Sequence, residues 1–156
     1  MIRTIGIPRL FEYEDFKVST VDELINWLKD KKELQIDTET EYDEKKKGIA
    51  NPYEQKVLLL QIGDFKDQFV IDPNVIDISF LKPYFEDKNI IKVLTNAFFD
   101  LRFFYHWGFN VKNIYDCFLV ELSLKLGQEK PKGYRCLVKM AERYCRVHLD
   151  KDIRGQ

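Results

Sequence analysis

The sequence predicts an α/β fold: a mixed sheet that opens as an antiparallel three-strand meander, continues by strand–helix alternation and carries flanking helices. Two patterns lead there. Residues 33–71 hold three strand-like runs with only loops between them. After Asp72-Pro73 the rhythm changes, and short apolar runs alternate with helical stretches. Composition agrees: at 156 residues, 45% hydrophobic and 33% charged, the chain can bury the core of one domain over residues 1–156, and no repeat or linker divides it.

The elements follow in order. Val21–Lys32 sets apolar residues at 21, 24, 25 and 28, the stripe of an amphipathic helix, and Thr20 with Glu23 has the spacing of a capping box. Glu33–Glu39 alternates, so Leu34, Ile36 and Thr38 share one face and Gln35, Asp37 and Glu39 the other. Thr40–Lys56, with its charges, Gly48, Asn51 and Pro52, reads as a long loop. Val57–Ile62 reads as one apolar run, a strand expected to be buried on both faces, and Gln68–Ile71 follows through a turn at Gly63–Lys66. Ile78–Phe85 is a short helix, Ile90–Thr95 a buried strand and Ala97–Trp107 a helix that Asn96 can cap. Ile114–Tyr115 is a brief strand, and Cys117–Leu126 and Tyr134–Arg146 are further helices.

Several classes are set aside. No apolar run approaches the roughly 18 residues of a membrane helix and no signal peptide opens the chain, so no membrane partner and a cytoplasmic location are expected. Cys117, Cys136 and Cys145 form no CxxC pair, and with only His106 and His148 beside them they read as free thiols of a reducing compartment rather than a zinc site. Residues 125–156 hold nine Lys/Arg against four Asp/Glu, while the rest of the chain is acidic. An acidic site beside a basic tail suits a protein that holds cations while gripping a polyanion.

Two constellations carry chemistry. Asp37 and Glu39, two apart on a strand, face the same way, and their like charges are relieved by a hard divalent cation such as Mg²⁺ or Mn²⁺. Alone they better describe a half-exposed strand with an acidic face. Asn96-Ala97-Phe98-Phe99-Asp100 follows a buried strand and opens a helix, so Asp100 is either a carboxylate favoured by the helix dipole or a site residue at the carboxyl end of a sheet strand.

In combination the order is more specific. Asp37-Thr38-Glu39, then Leu59-Leu60-Gln61-Ile62, then Asn96-Ala97-Phe98-Phe99-Asp100-Leu101-Arg102-Phe103 resembles the DEDD 3′→5′ exonucleases, in the branch holding ribonuclease D and the proofreading domain of family A DNA polymerases. Leu137–Tyr144 and Leu149-Asp150-Lys151 are similar to later segments of that family, and the resemblance runs from about Val18 to Gln156. It implies an RNase H-like fold and two-metal hydrolysis of the 3′-terminal phosphodiester of a single-stranded end. Asp37, Glu39 and Asp100 would be the catalytic and metal-binding carboxylates, with Asp37 bridging both ions, and Thr38, Asn96 and Phe99 would hold the terminal nucleotide. DNA is favoured over RNA, with a polymerase domain in the parent protein and a role in DNA replication; ribonuclease D-like RNA trimming, or a non-catalytic nucleic-acid-binding module, are the alternatives.

Thr95 stands where many ribonuclease D-like members have His. The family's fourth carboxylate, in a helix with Tyr-x-x-x-Asp, has no counterpart before Gln156, so a C-terminally incomplete and impaired domain is expected. Asp116, Tyr144 with His148, and His148 with Asp152 have the wrong spacing to replace it. Lys45-Lys46-Lys47 reads as a solvated charge run. Arg135, Lys139, Arg143 and Arg146 would line one helix face, as a phosphate-contacting stripe or an ordinary outer surface.

Overall fold

A computed structural model describes residues 1–7, 16–41, 51–126, 134 and 136–149. Lys45–Lys47, Arg135, Asp150, Lys151 and Asp152 lie outside the described residues.

Among the described residues seven strands form one sheet: β1 (Ile2–Ile5), β2 (Phe16–Val18), β3 (Glu33–Thr40), β4 (Val57–Gly63), β5 (Gln68–Ile71), β6 (Ile91–Leu94) and β7 (Ile114–Asp116). Their order is β2-β1-β5-β4-β3-β6-β7. The β3–β4–β5 meander is antiparallel, as expected, and β6 and β7 add to it in parallel. The other edge was not expected: β1 and β2 extend the sheet in parallel beyond β5. The helices are α1 (Val21–Leu28), α2 (Lys82–Phe85) behind a 3₁₀ turn at Ser79–Leu81, α3 (Phe98–His106), α4 (Cys117–Leu124) and α5 (Leu137–Met140). Among the described residues no helix is long and apolar enough to cross a membrane.

Local chemistry sets the helix starts. The Thr20 hydroxyl accepts from the Glu23 N–H (3.2 Å) while the Glu23 carboxylate accepts from the Thr20 N–H (3.2 Å) and the Ser19 hydroxyl (2.5 Å). With the Ser19 and Thr20 bonds and nearby Lys17, this holds Glu23 at about 2, well below its ordinary value. The capped helix buries Leu24 and Leu28 on one sheet face, against Leu34 and Ile36 of β3, Leu60 and Ile62 of β4, Phe69 and Ile71 of β5 and Ile5 of β1. Burial of apolar area at ~25 cal/mol per Å² is what fixes that face inward.

Four expectations need correction. β4 is buried on one face only: Leu60 and Ile62 are in the core, whereas Leu58 is exposed and Leu59 and Gln61 are half-buried, because the opposite face borders a cleft. The β6 run is not a uniformly apolar core strand. Ile91 is exposed, while Lys92 is fully buried and its ammonium donates to the carbonyls of Tyr84 (3.4 Å), Asp87 (2.6 Å) and Ile90 (2.8 Å). Burial lowers the Lys92 pKa from its ordinary value, with Asp87 opposing. The helix expected over Tyr134–Arg146 is a short α5 followed by a π-helix at Ala141–Cys145 that ends on left-handed Arg146. Finally, Asn96 does not cap α3. It sits at φ 61°, and the residue flanking the helix is Ala97.

Candidate active site

The β3–β6 ladder stops at Gln35 opposite Val93, and beyond that point β3 diverges from β6. The next backbone donor facing the gap, the Thr38 N–H, is satisfied by Asp100 from the first turn of α3, at 3.0 Å, and the Thr38 hydroxyl donates to the same Oδ1 at 2.6 Å. Thr38 and Asp100 are both buried. Thr38, expected to bind substrate, therefore spends its hydroxyl on positioning Asp100.

Pleating turns the flanking residues the other way. Asp37 and Glu39 are exposed on the far face of β3, opposite Gln61 and Leu59 of β4. The register then shifts between Glu39 and Thr40, a bulge of the sort that ends strand pairing beside functional sites. Asp37, Thr38, Glu39, Asn96, Phe99 and Asp100 all line one cleft of about 670 Å³, together with Gln35, Gln61, Gln68 and Leu137 of α5. Burial pushes the Asp100 carboxyl up to about 6; the Thr38 hydroxyl holds it back, and the like charge of Asp37 adds to the rise.

Asp116 is the hinge pin of the next layer. Its Oδ1 accepts from the N–H of Asn96 (3.0 Å), Phe118 (2.9 Å) and Leu119 (3.4 Å), and its Oδ2 from Ala97 (2.9 Å). One carboxylate thus caps α4 and fixes the turn that delivers α3. Phe99 packs against Phe103 (centroids 5.7 Å apart), which is buried against Val57, so the wall beside Asp100 is firm.

Among the described residues of the basic set, Arg143 does not join Lys139 on an outer face. Arg143 turns inward: Nη2 donates to buried Glu121 at 2.7 Å, Nη1 to the Tyr134 carbonyl at 2.8 Å, and the guanidinium lies 3.9 Å over the Tyr134 ring. Tyr144 also donates to Glu121, at 2.5 Å, and Lys139 pairs with Glu142 at 2.7 Å. None of these three glutamines is among the site residues expected from the sequence. Their signal was there: Gln35 shares the face of Asp37 by period two, and Gln61 is the one polar side chain in β4.

No group of three His, Cys, Asp or Glu side chains among the described residues converges to hold a metal ion. The carboxylates border the cleft as neighbours and do not form a closed cage. That arrangement fits Mg²⁺, which keeps several waters and takes one or two carboxylates plus substrate phosphates.

A family model described as 3′-5′ exonuclease matches residues 16–156. No curated protein sequence matches the chain. Among solved structures, the catalytic core of RRP6 from Trypanosoma brucei superposes with a TM-score of 0.70 at 20% identity, over 97% of this chain and 36% of that one. Escherichia coli RNase D, an exoribonuclease involved in structured RNA processing, gives 0.65 at 26% identity, over 83% and 32%. Brucella melitensis NrnC with bound Mg²⁺ gives 0.60 at 17% identity, over 96% and 63%, and the same protein is also solved bound to pGG. The chain thus spans about a third of the length of the RRP6 and RNase D structures.

Proposed function

Since the chain belongs to the DEDD-type 3′-5′ exonuclease family whose model covers residues 16–156, we propose that it removes nucleotides from the 3′ end of a single-stranded nucleic acid with the help of Mg²⁺ or Mn²⁺. The observation that carries this reading is Asp100, buried yet bordering the same cleft as Asp37 and Glu39, with its carboxyl raised to about 6. A purely structural carboxylate gains nothing from a like-charged neighbour. A cation-binding one does.

Asp37, Glu39 and Asp100 would hold the ions, and residues 1–156 belong to a single exonuclease domain. When bound, two such ions supply positive charge to the scissile phosphate and a more acidic water. The chain's own residues do the rest. Thr38 fixes the Asp100 carboxylate by two hydrogen bonds, and Asp116 fixes the turn that carries Asn96. Asn96, exposed at the cleft rim, and Phe99, on its wall, hold the terminal nucleotide.

The sequence favoured DNA and a polymerase parent. The similar structures give neither of these support, since RNase D is named an exoribonuclease, so RNA is the first substrate of this proposal and a cytoplasmic enzyme its setting. The test is a 5′-labelled single-stranded oligonucleotide, as RNA and as DNA, incubated with Mn²⁺. The expected result is stepwise shortening from the 3′ end, faster on RNA, and abolished by EDTA and by Asp37→Asn. Shortening that Asp37→Asn leaves intact would overturn the assignment of the site; faster shortening of DNA would restore the first preference.

A further inference from the structure

We propose that Gln61 is a substrate-binding residue, its side-chain amide hydrogen-bonding the 3′-terminal nucleotide at a sugar hydroxyl or a base edge. This rests on the exonuclease reading and extends it to a residue that neither the carboxylate motifs nor the turn at Asn96 includes.

Register is the first argument. Gln61 lies directly opposite Asp37 in the antiparallel β3–β4 pair, so the two side chains share a face, and such partners have Cβ atoms about 5 Å apart. Its neighbours Leu60 and Ile62 are buried on the other face of β4, which commits Gln61 to the cleft it lines with Asp37, Glu39 and Asp100. A position in an otherwise apolar strand has been given to an amide, at the point nearest the acids.

Satisfaction is the second argument. Nearby cleft amides are occupied: Gln68 Nε2 donates to the Asp64 carbonyl at 2.6 Å and to Gln35 Oε1 at 3.4 Å. The half-buried Gln61 amide makes no hydrogen bond among the described residues, so its donors and acceptor are left to water or a ligand.

Chemistry narrows the ligand. A phosphate only accepts hydrogen bonds and belongs with cations held by the carboxylates. An amide one strand away offers donors and an acceptor together, which matches the neutral parts of the same nucleotide, its hydroxyls and base edge. Phosphate contacts position a nucleic acid, whereas contacts of this second kind sense which nucleotide is present.

The experiment measures binding by fluorescence anisotropy of 5′-fluorescein RNA oligonucleotides, with Ca²⁺ in place of Mg²⁺ or Mn²⁺ to avoid cleavage. Gln61→Ala and Gln61→Leu, the latter keeping the volume, are expected to melt as the unsubstituted chain does and to bind about 3- to 10-fold more weakly, the loss of a neutral hydrogen bond. That difference should vanish on one of two altered ligands. Loss of the difference on an oligonucleotide ending in a 2′,3′-dideoxynucleotide assigns the contact to the sugar; loss on one ending in an abasic nucleotide assigns it to the base. Equal affinity of both variants and the unsubstituted chain for the unaltered RNA, or a difference that persists on both altered ligands, overturns the role of Gln61 alone. Failure of the unsubstituted chain to bind any of the oligonucleotides overturns the exonuclease reading, and this inference with it.

Discussion

Thr38 gives two hydrogen bonds, from its N–H and its hydroxyl, to one oxygen of Asp100, 62 residues further along the chain. The pair ties the open end of β3 to the first turn of α3, just where the ladder between β3 and β6 has stopped. Asp37 and Glu39 flank Thr38 in sequence, so the same tie that fixes Asp100 fixes the strand bearing the other two acids.

Ion binding should be visible as stability. At Mn²⁺ concentrations about a hundred times the dissociation constant, linkage gives about 2.7 kcal/mol, or roughly 5–10 °C in Tm for a domain of this size. Asp37→Asn should remove the shift, and Asp116→Asn should keep it. Thermal melts with and without Mn²⁺ decide; a full shift in Asp37→Asn puts the ion elsewhere.

Asp100 makes the metal-free protein pH-sensitive. Its carboxyl is raised from an ordinary 3.8 to about 6, so the folded state holds the proton more tightly than the unfolded chain. This group's contribution is therefore full below about pH 4 and is lost as pH rises through about 6, by at most about 3 kcal/mol. Asp100→Asn keeps an acceptor for Thr38 and cannot ionise. Urea titrations in EDTA should find it more stable than the unsubstituted chain at pH 7 and equal to it near pH 4.

Removing the Asp116 carboxylate strands four N–H groups on two elements at once. Asp116→Ala is expected to cost about 2–4 kcal/mol in urea unfolding. Asn96, released from its turn, should also bind the 3′ end less well, so KM should rise more than kcat falls. Unchanged stability would mean that water replaces the carboxylate.

Arg143 and Lys139 look alike in sequence and should behave differently. Arg143→Ala leaves the buried Glu121 carboxylate without its cation and should lower Tm clearly, whereas Lys139→Ala breaks an exposed pair and should barely change it. Weaker RNA binding by Lys139→Ala than by Arg143→Ala, both folded, would point to a phosphate-contacting role for the exposed lysine alone.

What could be read in the sequence was local. The capping box at Thr20 and Glu23, the period-two face of Asp37 and Glu39, and the helix following Asn96 all depend on residues within a few positions of each other. What could not be read depends on distant partners. β1 is four residues long and joins the sheet by pairing with β5, more than sixty positions away, and β2 is three exposed residues, too short for the alternation of Phe16-Lys17-Val18 to mark it. Asp116 reads as a strand-end acid until Asn96 and Ala97 are brought to it. The stripe through Arg143 presumed a regular helix, and the π-helix changes the phase, turning the guanidinium toward Glu121.

The buried lysine of β6 gives the protein a built-in gauge. Amine-directed labelling reagents need an accessible, deprotonated nitrogen, and Lys92 offers no surface while its ammonium is wrapped by three carbonyls. It should stay unlabelled in the native protein while exposed lysines react. Its reaction, followed by peptide mass, then times the opening of the strand that leads into Asn96, and a ligand in the cleft should slow it.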